Sequence, residues 1–356
     1  MRHAVGLFAI PLAFAATVFA DTPKQSPQAP PPAPKDASAL SEHTTLLAPI
    51  QVDSLTLTPI VATAAPQDGS KDSKDDNLLV LDEAMAAGQV KIQEIADGSV
   101  NQLTFVNKAD HPVFVMAGEV IIGGKQDRII GKNTVIPGKT TQEVPVFCVE
   151  HGRWDGKTKE FTTAKALAHG RLRGQASYAA QQDVWNEVAA KNKVRKTENT
   201  SGTYRKVAQQ QSDGTLAAME HQVDAAIAKI PAADRVRMVG YAVALNGAVA
   251  TVDLFGSPAL FKKLETKLVR SYLTEAVDVA AQKDVKPPSA ADVKSFMADA
   301  DKAAEQKSYD TAAAATVINS GERASKAKVD YKRAGDARPG AAKPAAPALY
   351  ENYQAH

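Results

Sequence analysis

VRMVGYAVALNGAVATVDLF, residues 236–255, gives the clearest local signal in the chain. Two apolar, partly alternating runs flank Asn246-Gly247, a pair that accepts the positive φ angles of a type I′ turn, so a tight β-hairpin is predicted. Ser257 then stands at a helix N-cap with Pro258 at the first helical position. Leu260, Leu264, Leu268 and Tyr272 recur at helical spacing to about residue 280. A further helix is expected over 289–303.

Working outward towards the N-terminus, residues 162–230 carry a helical period, with amphipathic helices predicted over 175–191 and 213–230 around the polar stretch 197–203. Before them the period is that of strands: 90–95 alternates, and 103–106, 113–116 and 144–149 are short apolar runs. Asp97-Gly98, residues 107–112, Gly123-Gly124 and Pro137-Gly138 supply the turns between them. Residues 81–87 read as a short helix with Gly88 just beyond its end. Strands, then helices, then a hairpin and more helices are not the repeated alternation of a doubly wound sheet. The predicted class is α+β: a mainly antiparallel sheet or sandwich in the first half, a helical layer, and the later hairpin.

The ends read differently. Met1, Arg2 and His3 precede an apolar run over 4–20 that closes on Ala20 with Val18 two places earlier, the form of a cleavable export signal rather than of a span of about 20 apolar residues. Export to the periplasm or medium, with cleavage near Ala20, is the expected localisation. Residues 21–45 are read as a disordered Pro/Ala-rich spacer, 46–333 as a single α+β domain, and 334–356 as a disordered Pro/Ala-rich tail. No later stretch is apolar enough for a transmembrane anchor. With 42 Lys plus Arg against 40 Asp plus Glu, the charge field argues for no nucleic-acid partner. Cys148 is the sole cysteine, so no intrachain disulfide forms.

Two patches carry the polar chemistry. Gly118 to Arg128 runs as a strand into Gly123, Gly124, Lys125, Gln126, Asp127 and Arg128. Glycine amides beside Lys125 and Arg128 suit a phosphate or carboxylate, and Asp127 suits a fork with Arg128; the plainer reading is a solvated hairpin turn. A Walker loop is absent, because the spacing and the Lys-Ser/Thr end are missing. The second patch is Cys148, Val149, Glu150, His151, Gly152, Arg153 and Trp154. Strand period puts Cys148 and Glu150 on one face and His151 on the other, which favours a buried inert cysteine over a Cys-His nucleophile. Glu150 and His151 lack the second ligand pair of a metal site, and none is expected. Trp154 beside Arg153 suits either a stacking surface or a strand-end anchor. Arg171, Arg173, Gln181 and Trp185 are candidates for the same rim, the basic run 191–196 is read as an exposed helix end, and His111, His169 and His221 as isolated.

Together the two patches resemble the ARG-and-rhodanese-phosphatase-superfamily-associated protein domain, and the resemblance covers most of the ordered chain, including 81–95 and the Gln-rich helix around Trp185. The resemblance implies a shared polar site without naming a ligand, reaction or cofactor. From the residues, the favoured expectation is a binding module. Its polar cleft for an anionic small molecule, glycan or peptide is formed by Lys125, Gln126, Asp127, Arg128, Glu150, His151, Arg153 and Trp154. The alternatives are a hydrolase or transferase using Glu150 or Asp127 with Arg128 or Arg153, and a structural, envelope-associated interaction protein.

Overall fold

The computed structural model describes residues 40–63, 77–96, 98–155, 158–178, 180–332 and 348–356. The expected export signal at 1–20, the spacer up to residue 39 and the tail segment 333–347 lie outside them. Within the spacer's last residues, 40–43 already form a 3-10 turn and strand pairing starts at Thr44.

In chain order the strands of the first half are β1 (Thr44–Leu46), β2 (Ile50–Val52), β3 (Leu55–Ala62) and β4 (Leu79–Val80), then helix α1 (Leu81–Ala86). There follow β5 (Val90–Glu94), β6 (Gln102–Asn107), β7 (Val113–Val115), β8 (Glu119–Gly123), β9 (Arg128–Ile130), β10 (Thr134–Ile136), β11 (Thr140–Cys148) and β12 (Phe161–Leu167). The helical layer is α2 (Gly170–Tyr178), α3 (Gln181–Val194), α4 (Arg205–Gln210), α5 (Ala217–Ile227) and α6 (Ala232–Arg235). The hairpin is β13 (Met238–Leu245) and β14 (Ala248–Phe255), followed by α7 (Pro258–Ala276) and α8 (Ala290–Asp301). The last strands are β15 (Glu305–Asp310), β16 (Ala314–Ser320), β17 (Ala324–Tyr331) and β18 (Ala348–Ala355). Every strand pairing among the described residues is antiparallel except β4 with β7, so the class is α+β.

The hairpin lies where its turn chemistry puts it: Asn246 and Gly247 adopt φ of 45° and 78°. Ser257 caps α7 by accepting the Leu260 N–H, and Ser289 caps α8 by accepting that of Asp292. The helix expected over 175–191 is two helices, because α3 starts afresh at Ala180, whose N–H is taken by the Asp183 carboxylate. The one expected over 213–230 begins only at Ala217: Asp213 accepts the Thr215 N–H in a local turn, and Gly214 has φ of 92°.

The strands make two main layers. Strands β12-β8-β9-β11-β6-β5 form a six-stranded sheet whose two edges meet through a bridge between Gln93 and Glu160, curling it around a core that includes Ile92, Phe105, Ile121 and Val146. The larger sheet runs β1-β3-β13-β14-β18-β17-β16-β15, with β2 also on β3. Helix α7 packs Leu264, Leu268 and Tyr272 into the core cluster containing Leu55, Leu57 and Val243, while α8 packs Val293 and Phe296 into another with Ile60, Val252 and Tyr353. No helix of the described residues is long and apolar enough to cross a membrane.

One expectation is overturned outright. Residues 348–355, read as part of a disordered tail, are the strand between β14 and β17, and seven of their eight residues are buried. The stretch looks polar because Glu351, Asn352 and Gln354 are polar, yet inside the sheet they find partners: Glu351 pairs with Lys326 at 3.0 Å and Asn352 donates to Asp253 at 2.9 Å. Burial paired in this way leaves no apolar signature in the sequence.

Candidate functional site

The two patches do meet. Strand β11 runs antiparallel to β9 with Cys148 opposite Arg128, which sets the end of one beside the turn of the other. Gln126 Nε2 donates to the Glu150 carbonyl at 3.0 Å, and the Asp127 N–H donates to Glu150 Oε2 at 2.9 Å.

The glycines of the β8–β9 turn serve the protein's own packing. A Cβ on Gly123 would lie 2.5 Å from the Glu160 carbonyl oxygen, and one on Gly124 2.2 Å from the Phe161 ring. The turn's amides are likewise engaged: Lys125 N–H donates to Glu94 Oε1 at 2.8 Å and Gly123 N–H to Asp127 Oδ1 at 3.0 Å. Thus the anion expected at these amides is already present, as side-chain carboxylates.

Asp127 does not fork with Arg128. It is fully buried and accepts from the Thr203 hydroxyl at 2.7 Å, from Arg205 Nε and Nη2 at 2.9 and 2.6 Å, and from Arg153 Nη2 at 3.4 Å. Arg153 also pairs with Glu150 at 2.7 Å and donates to the carbonyls of Gly124 and Gly123 at 2.8 and 3.2 Å. The hydrogen bond to Glu150 holds the Arg153 guanidinium more firmly protonated than usual, and that to Asp127 does the same for Arg205. Arg205, on α4, escaped the sequence reading; nothing near it in the chain marks it, because its partner lies 78 positions away. With their oxygens engaged by arginines and amides, these acids act as braces and are poorly placed to take a substrate's proton.

Arg128 is the exception. Its guanidinium is fully buried, yet among the described residues no carboxylate pairs with it. It donates to Gln126 Oε1 at 3.2 Å and, by longer bonds, to the carbonyls of Asp127 and Ser99 at 3.4 and 3.5 Å, while its Nε has no partner. Burial pushes its pKa down, against the attraction of Cys148, Glu94 and Asp127. Trp154, 48% exposed, covers this spot: its ring centroid is 5.9 Å from the Arg128 guanidinium carbon and 4.9 Å from Lys125 Nζ.

The remaining candidates disperse. Cys148 is buried, its thiol is pushed up by desolvation, and its backbone N–H and C=O are both bridged by the Gln181 carboxamide, at 2.9 and 2.8 Å. His151 is exposed and meets the Trp185 ring edge-on at 4.5 Å. Arg171 pairs with Glu187 at 3.0 Å, and Arg173 is buried against Asp253 at 2.6 Å, so neither joins the rim. Lys191, expected at an exposed helix end, is buried and paired with Asp278 at 3.0 Å. Among the described residues no group of three or more His, Cys, Asp or Glu is arranged to hold a metal ion.

His169, read as isolated, sits in a buried relay. Its own backbone N–H donates to the Tyr204 hydroxyl at 3.3 Å; that hydroxyl donates to Nδ1 at 2.8 Å, which leaves Nε2–H to donate to Glu187 at 2.9 Å. Burial, outweighing Glu187, lowers the imidazole's pKa. The unfolded chain therefore takes up a proton near the ordinary value of about 6.5 that the folded chain excludes, and stability should fall as pH drops below that value. Urea midpoints from pH 7.5 to 5 check this: the His169→Asn chain should show a shallower decline, and an equal slope would remove His169 from the account.

No curated protein and no solved structure matches the chain. A family model, the ARG and Rhodanese-Phosphatase-superfamily-associated Protein domain, matches residues 43–335, which includes both polar patches and stops short of β18. The match spans most of the chain, and the protein belongs to the ARG and Rhodanese-Phosphatase-superfamily-associated Protein domain family.

Proposed function

We propose that this protein is a binding module whose ligand is a small planar anion seated at Arg128 and Trp154, with Lys125 at the rim. The observation that carries this reading is the buried Arg128 guanidinium, which among the described residues has no carboxylate partner and an unbonded Nε. Burying a charge without a counter-charge is costly, and such groups concentrate at functional sites. Trp154 adds a half-exposed aromatic face above that cation, and Val100, next to the Ser99 carbonyl that Arg128 meets, is a second exposed apolar side chain. A planar ligand that slides against Trp154 brings its negative charge to the cation and keeps its ring out of water. Asp127, Glu150, Arg153 and Arg205 then serve as the frame. The same proposal includes export: residues 1–20 are the signal, and the mature chain begins at Asp21, which intact-mass measurement of the secreted product checks.

Thermal-shift titration of the full chain with inorganic phosphate, adenosine and adenosine monophosphate tests the site. The nucleotide, which joins a ring to a charge, should raise the melting temperature more than either part, by mass action on the folded state. Trp154→Ala should leave the chain folded, with a modestly lower unliganded melting point because the ring's cover over Arg128 and Lys125 is lost, and should abolish the nucleotide's effect. A nucleotide shift that survives Trp154→Ala, or the absence of any shift, would overturn the reading.

A further inference from the structure

A separate cavity of about 530 Å³ opens between α2, the β13–β14 hairpin, α7 and the end of β18. Its size falls in the range of small-molecule sites. The walls are largely apolar, with Val243, Leu245 and Ala250 from the hairpin and Tyr272 from α7. Space exists there because α2 offers glycines: a Cβ on Gly174 would come within 2.9 Å of Gln354 Cγ.

Two polar groups in this wall are under-bonded. Gln354 is 7% exposed; its Nε2 donates to the Ala250 carbonyl at 3.3 Å, and its Oε1 has no partner among the described residues. Glu275, at the cavity's edge, makes only long contacts: it accepts the Arg171 N–H at 3.3 Å, and its oxygens lie 3.9 Å from Lys191 and 4.0 Å from His169. Both groups are acceptors: Gln354 Oε1 is buried without a donor among the described residues, a desolvation cost that a ligand's donor relieves, and Glu275 is a partly exposed carboxylate held by one long hydrogen bond. Arg171, the cation that also lines the cavity, is already paired with Glu187 at 3.0 Å.

We infer that this cavity is a second binding site, for a compact molecule with an apolar or aromatic body and an ammonium head. The body fills the space against Val243, Leu245 and Ala250. The head donates to Glu275 and, after rotation of the carboxamide towards the cavity, to Gln354 Oε1. The charge preference is opposite to that proposed for Arg128 and Trp154, and the residues of the two sites do not overlap.

Fluorine NMR of the full chain separates these requirements with two probes that share a ring and differ in the head, 5-fluorotryptamine and 5-fluoroindole-3-acetate. The amine should broaden saturably on adding protein and the acetate should not. Ala250→Phe, which fills the cavity from a half-buried position, should abolish amine binding. Glu275→Gln keeps the shape and should weaken binding about tenfold, the size of effect expected for one charge-assisted hydrogen bond. Trp154→Ala should leave it unchanged. Equal binding of the two probes, binding of neither, or amine binding indifferent to Glu275→Gln overturns the proposal, and the last of these holds even if Ala250→Phe fails to fold.

Discussion

A chain ending at Pro347 should fail to fold into a cooperative unit, although it retains the whole family match to residue 335. Strand β18 lies between β14 and β17, so its loss leaves two ladders open in the middle of the large sheet rather than at its edge. It also removes Leu349, Tyr350 and Tyr353 from the core. Burial of each such side chain is worth about 1.5–3 kcal/mol, against a total domain stability of about 5–15 kcal/mol. Lys326 and Asp253 would each lose a partner as well, though Lys326 keeps Asp301 and Asp253 keeps Arg173 and Tyr272. Urea denaturation followed by circular dichroism tests this in the full-length and shortened chains. The shortened one should show no sharp transition and should self-associate through the exposed ladders. A two-state transition at the full-length midpoint would show that β18 contributes nothing to the folded core.

The second large effect is expected at Asp253, the centre of a fully buried network. Arg173 donates to both its oxygens, at 3.3 and 2.6 Å, and Tyr272 donates at 2.5 Å; Tyr350 and Asn352 donate to Oδ1. Burial alone would raise this carboxyl's pKa, but Arg173 and the hydroxyl donors outweigh it and hold it below the usual carboxylate range. Asp253→Ala leaves the Arg173 guanidinium buried with Tyr350 as its other polar contact, and should cost about 3–5 kcal/mol, the range for breaking one side of a buried ion pair. Arg173→Met should cost less, because Asp253 keeps three donors from Tyr272, Tyr350 and Asn352. Unfolding free energies of the two variants settle the order. If Arg173→Met is the more damaging, the hydroxyls and the amide do not solvate the carboxylate as the geometry indicates.

This network explains why parts of the fold were hard to read. Arg173 lies in a stretch that suggested a basic rim, while the charge it neutralises is 80 positions away on β14 and the tyrosine that completes the cage is 177 positions away on β18. The same holds for Asp127, whose strongest partner, Arg205, is on a different element. By contrast, the hairpin at 246–247 and the cap at Ser257 were legible because each is decided within four or five residues. Meeting of the two patches was foreshadowed by their character, since both are strand ends rich in polar groups; their pairing through β9 and β11 was not.

Local chemistry therefore determined the class, the strands read between 90 and 149, the hairpin and the helix after it, whereas β1–β3 and β15–β18 went unread and 162–167, read with a helical period, belongs to strand β12. Tertiary structure alone decided which charges are braces and which cation stays uncompensated, that Gly123 and Gly124 serve Glu160 and Phe161 rather than a ligand, and that a polar C-terminal stretch is a central strand. The physical reason is one of range. Backbone preferences and capping act over a few residues and leave their mark in sequence order, whereas the state of a buried polar group depends on partners that only the folded chain brings within 3 Å.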